Sequence, residues 1–132
     1  MKQSLAHISL VVNNYDAAIQ FYVDKLHFDL VEDTTLSPTK RWVLVRPPGN
    51  GDGCCLLLAE ASKEEQKTRV GNQTGGRVFL FLHTDDFKRD YDNLIHHNIK
   101  IVRAPVMEAW GEVCVFEDLY GNLWDLIQPI NG

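Results

Sequence analysis

With 132 residues, the chain has the length of one domain and can bury a hydrophobic core without covalent staples. Its 45% hydrophobic and 23% charged residues are ordinary for a globular protein and exclude global disorder. Thirteen basic against eighteen acidic residues leave a net charge of −5 with no Lys/Arg cluster, so a nucleic-acid role has no basis and a small molecule or a protein remains as the partner.

The first element is a β-rich run, Leu5 to Val12. Ala6, Ile8, Leu10 and Val12 form a uniformly apolar face suited to a helix, whereas Leu5, His7, Ser9 and Val11 form a mixed face suited to lining a cavity. His7 and Ser9 interrupt the apolar stretch, which therefore reads as a strand and not as a signal peptide. No apolar run approaches the roughly 20 residues of a membrane span, and the expected location is the cytoplasm. Asn13-Asn14 offer an N-cap and Asp16 a first-turn carboxylate, followed by an apolar stripe (Ala18, Tyr22, Leu26) that predicts a helix over 15–26. Strands are predicted near 28–32, 41–46 and 54–59, with turns at Ser37-Pro38 and over Pro47-Pro48-Gly49-Asn50-Gly51. Cys54 and Cys55 are adjacent and Cys114 stands alone, a pattern of buried small hydrophobes in a reducing compartment and not of a disulfide framework.

From Ser62 to Gly76 the chain is polar. Ser62 with Glu65 forms a capping-box pattern for a short exposed helix, and Asn72 to Gly76 reads as a flexible loop, either a linker or a lid over a ligand. The pattern then restarts: a strand over 78–82, a helix capped by Thr84 or Asp85 with Phe87, Tyr91, Leu94 and Ile95 buried and Asn98 at its end, then strands at 99–103, 113–117 and 123–128. The second half repeats the first at an offset of about 70 residues. The expected organisation is one domain over 1–132, with a first module at about 4–60, a linker at about 61–76 and a second module at about 77–129. Each module has one sheet face covered by its helix, and two modules side by side are expected to curl their other faces around a shared cleft.

The residues Leu5-Ala-His-Ile-Ser-Leu-Val-Val12 with Asp16-Ala-Ala-Ile-Gln-Phe-Tyr22, and the closing Val115-Phe-Glu-Asp-Leu-Tyr-Gly-Asn-Leu-Trp-Asp-Leu-Ile127, resemble the first strand–helix and the final hairpin of the vicinal oxygen chelate superfamily (glyoxalase, bleomycin resistance protein, extradiol dioxygenase). The resemblance covers nearly the whole chain. It implies an α+β fold of two βαβββ modules, a curled mixed β-sheet around a cleft with helices outside. It also implies four cleft-facing positions that hold a divalent cation in metal-dependent members. Carried over, these positions are His7, Leu57, Arg77 and Asp125.

His7 and Asp125 suit zinc, nickel, iron or manganese, but Leu57 has no donor and Arg77 stays cationic, so a metal-free site is favoured over a metal held by His7 and Asp125. Glu60 falls on the opposite face from Leu57, and His83 lies at the far end of its strand. Without a metal, Arg77 offers a fork of donors to a carboxylate, phosphate or enolate oxygen, unless it pairs with Asp125. His7 and Asp125 are the candidate catalytic groups, His7 as a general base beside Ser9. Phe79 and Phe81 share the face of Arg77 if the strand is regular, Trp110 is a lid candidate, and Trp124 points away from the cleft. His96-His97 sit at a helix end, where adjacent side chains diverge.

The resulting expectation is a small-molecule-binding protein acting on an anionic or aromatic compound, in catalytic form a glyoxalase-like lyase or isomerase. A metal-dependent ring-cleaving dioxygenase and a non-catalytic drug- or toxin-sequestering resistance protein are the alternatives. A homodimer is implied by the resemblance.

Overall fold

The computed structural model describes residues 1–130, which form two compact units, Met1–Val70 and the chain from Gly71 onward. In the first unit, β1 (His7–Val12) leads into α1 (Tyr15–Ile19), which continues as a π-helix over Gln20–Lys25. β2 (Asp29–Ser37), β3 (Lys40–Arg46) and β4 (Cys55–Glu60) complete a sheet of order β1-β4-β3-β2. One turn of exposed helix, α2 (Glu64–Lys67), follows. The second unit runs β5 (Val78–His83), α3 (Phe87–His96), β6 (Ile101–Glu108), β7 (Gly111–Glu117) and β8 (Leu123–Pro129), with sheet order β5-β8-β7-β6. In both sheets the first strand pairs with the fourth in parallel and the other pairs are antiparallel. Each unit is therefore one β–α–β–β–β module, the repeated α+β build that the sequence pattern predicts.

The same local chemistry starts and ends the main helix in each module. Asn14 is extended and its Oδ1 accepts from Ala17 N at 2.8 Å, while Asp86 Oδ1 accepts from Arg89 N at 3.1 Å. The residues that follow the helices, His27 and Asn98, take left-handed φ values of 63° and 56°, which reverse the chain toward β2 and β6. Two caps differ from expectation. Asp86, not Thr84 or Asp85, caps α3, because Thr84 Oγ1 instead accepts from Asp86 N. Ser62 pairs with Gln66 and not Glu65, its N and Oγ both donating to Gln66 Oε1, and the N-cap residue of α2 is Lys63, without a side-chain cap bond.

Strand alternation divides each sheet into a helix face and a helix-free face. Leu10, Val12, Val43, Val45 and Leu58 are fully buried on the first sheet's helix face, beneath Ala18 and Tyr22 of the helix. In the second module Cys114, Phe116, Trp124 and Leu126 occupy the helix face with Phe87 and Leu94 of α3, and the Phe116 and Trp124 rings stack at 5.9 Å. The β7–β8 turn is tied from within. Buried Asp118 accepts from Tyr120 N and Asn122 N through Oδ1 and from Asn122 Nδ2 through Oδ2, each at 2.9 Å. Gly71 (φ +74°) approaches this turn so closely that a Cβ there would collide with the Tyr120 carbonyl oxygen. No helix among the described residues is long and apolar enough to cross a membrane.

Two outcomes follow from this packing. Asp118→Ala leaves the buried turn amides without their charged acceptor and lowers stability by about 1.5–3 kcal/mol, read from urea denaturation. Burial, with Asp125 and Glu112 nearby, pushes the Cys114 thiol up to about 12. In a thiol titration of the native protein, half-buried Cys54 therefore reacts first, and buried Cys114 reacts only when denaturant is added.

Candidate functional site

The ladders decide which side chains share a helix-free face. In the second module Phe81 is in register with Asp125, Asp125 with Val115 and Val115 with Arg103. One row thus crosses all four strands in the order Phe81, Asp125, Val115, Arg103, with neighbouring Cα atoms about 5 Å apart. Trp124 and Leu126 flank Asp125 in sequence and point to the helix face, where Gln128 Oε1 accepts from Phe87 N at 2.7 Å. Asp125 therefore lies on the helix-free face, as expected, and Trp124 points away from it. Phe81 is 63% exposed, an unusual exposure for a ring in a sheet.

Asp125 is half-buried, and burial raises its proton affinity above that of an ordinary carboxyl group, with Arg103 acting in the opposite direction. Among the described residues Arg103 makes a long ion pair, 3.8 Å from Nη2 to Glu108 Oε1, and its side chain is 64% exposed. It is the cation that acts on Asp125. The resemblance offers Arg77 as the cation near Asp125, and a strand expected to stop at residue 103 leaves Arg103 at an element's end. The structure extends β6 to Glu108, and a register shift on either side of Arg103 brings it opposite Val115 of β7.

Arg77 lies outside β5, exposed, with its carbonyl accepting from Thr74 Oγ1 at 2.6 Å. β5 is not regular. The ladder passes from Val78↔Leu123 directly to Leu80↔Trp124, so Phe79 is an extra, bulged residue and the alternation linking Arg77, Phe79 and Phe81 is broken. His83 ends the strand, exposed and in register with Ile127. Trp110 sits in the β6–β7 turn, 53% exposed, and its carbonyl accepts from Ile130 N. His96 and His97 make an edge-on ring contact with each other at the end of α3.

The corresponding row of the first module is Ser9, Leu57, Leu44 and Glu32. His7 lies on the same face two residues before Ser9, exposed, with its ring edge-on to Trp42 at 6.0 Å. Glu60 faces the helix, where its carboxylate accepts from Tyr15 N at 3.2 Å. Leu57 thus occupies the place that Asp125 holds in the second module. The side chains present do not fit a chelated divalent ion: among the described residues no three His, Cys, Asp or Glu groups converge, and Leu57 carries no donor. What the second module offers instead is a carboxyl of raised proton affinity, an exposed ring and a guanidinium on one face.

The sequence and fold agree with known proteins. The chain is similar to an uncharacterized protein of Shewanella frigidimarina, 63% identical over 129 residues, covering 97% of this chain and 95% of that one. Among solved structures it is similar to UcmS2 (TM-score 0.82, 25% identity, 96% of this chain and 98% of that one). It is also similar to TnmS3, an antibiotic binding protein from Streptomyces sp. CB03234 (TM-score 0.77, 27% identity, 98% of both chains). The family model described as Glyoxalase/Bleomycin resistance protein/Dioxygenase superfamily matches residues 4–126, and the chain belongs to that superfamily.

Proposed function

We propose that this protein binds an aromatic small molecule without a chelated metal, the helix-free face of its second module supplying the contacts. The observation that carries the reading is the juxtaposition of exposed Phe81 with half-buried Asp125 in register on adjacent strands. A ring stacks on Phe81 while the carboxyl takes or gives a hydrogen bond at the ring's edge. The similarity to an antibiotic binding protein supports a sequestering role. Trp110, exposed in the β6–β7 turn of the same module, offers a further ring. The reading includes a cytoplasmic location and a homodimer, and for the homodimer the nine-residue exposed edge strand β2 suits strand pairing between copies.

The raised proton affinity of Asp125 supports a second reading, acid–base chemistry of lyase or isomerase type. A carboxyl held above its usual range exchanges protons closer to neutral pH.

Three measurements test these readings. Titration with 4-hydroxybiphenyl, followed by amide chemical shifts, perturbs Phe81, Val115 and Asp125, and Phe81→Ala weakens the complex roughly three- to tenfold. Shifts confined to other elements would sink the assignment. Elemental analysis of the purified protein finds no stoichiometric metal, whereas a full equivalent lost in His7→Ala overturns the metal-free reading. For Asp125, the folded state holds the proton more tightly than the unfolded chain. Stability therefore falls as pH rises from the unfolded carboxyl range near 3.9 through the higher folded value. Asp125→Asn accordingly raises the melting temperature at neutral pH and gives no gain in strong acid; an equal gain at both pH values argues against a desolvated carboxyl.

A further inference from the structure

The row across the second sheet carries chemistry at both ends, and this defines the ligand more narrowly than aromatic character alone. Asp125 on β8 and Arg103 on β6 are separated by the single strand β7, which puts their Cα atoms about 10 Å apart on one face. Between them stands Val115, half-buried, with no polar atom in its side chain. Beyond Asp125 lies the Phe81 ring. The face therefore reads as ring, acid, apolar step, cation.

The cation is available. Its ion pair to Glu108 is 3.8 Å long and exposed, beyond hydrogen-bonding distance, and exposed pairs of this kind contribute little. A guanidinium so placed offers a fork of donors to a carboxylate or similar oxyanion. The first module does not duplicate the arrangement. In its equivalent row Glu32 takes the place of Arg103 and accepts from Thr34 Oγ1 at 2.9 Å, and Leu57 takes the place of Asp125. A guanidinium in this row is thus specific to the second module, and it belongs to Arg103 of β6 and not to Arg77 in the loop before β5.

We infer that the ligand is an elongated aromatic compound with a hydroxyl group at the Phe81–Asp125 end and an anionic group about 10 Å away held by Arg103. The inference rests on the binding reading above and goes beyond it by naming the ligand's polarity, its length and the residue that selects for the anion.

A matched pair of probes tests it, 4-hydroxybiphenyl and 4′-hydroxybiphenyl-4-carboxylate, titrated by calorimetry at neutral pH into the wild-type protein, Arg103→Gln, Arg103→Lys and Arg77→Gln. In the wild type the carboxylate binds roughly tenfold tighter than the neutral probe. In Arg103→Gln that preference disappears while affinity for 4-hydroxybiphenyl is retained, and Arg103→Lys keeps part of the preference. If the neutral probe binds and the carboxylate binds no tighter, or if Arg77→Gln and not Arg103→Gln removes the preference, the inference is overturned and the binding reading stands. If neither probe binds the wild type, the binding reading itself fails, and the inference with it.

Discussion

The parallel ladder joining the first and fourth strands of each module is the constraint from which the rest follows. Parallel neighbours need a long crossover, and here the crossover contains the helix and the two intervening strands. The helix covers one sheet face, and period-two alternation then dedicates every second side chain to the other. A shift of one residue would exchange the faces, carrying Trp124 and Leu126 out of the core and Asp125 into it. The stacked Phe116–Trp124 pair and the fully buried Cys114 hold that register by packing, because a slip would expose large apolar surface and bury a carboxyl group without a partner.

Local devices reinforce the register at the strand ends. Gln128 accepts from the first amide of α3, Glu60 does the same for Tyr15 at the start of α1, and Asp118 closes the β7–β8 turn from within. The bulge at Phe79 works differently. It absorbs one residue at the entrance of β5, so that Arg77 stays outside the strand while Phe81 keeps its place beside Asp125. Polar groups on the helix face, Glu60 and Gln128, thus serve structure.

The two modules share this framework and differ in what they place upon it. Where the second carries Phe81, Asp125 and Arg103, the first carries Ser9, Leu57 and Glu32. His7 with Trp42 is the first module's aromatic and titratable pair. Divergence on a repeated scaffold of this kind separates fold from function, since the helix-face residues specify the sheet and leave the other face free to vary.

Much of the architecture was legible in the residues themselves. Apolar alternation in Leu5–Val12, the stripe of Ala18 and Tyr22, and their recurrence about 70 residues later identify two βαβββ modules, because burial of one face imposes a period that composition cannot hide. The placement of His7 on the helix-free face and of Glu60 on the other followed from the same parity, as did the outward turn of Asp125. Parity fails where a strand is irregular. The displacement of Arg77, the isolation of Phe79 and the entry of Arg103 into the row depend on a bulge and on the length of β6, which are set by pairing with distant strands and leave no local signature. Sequence by itself determined the repeat and, where the strands are regular, the faces. Only the tertiary structure decided which cation shares a row with Asp125, because that is a matter of register between strands.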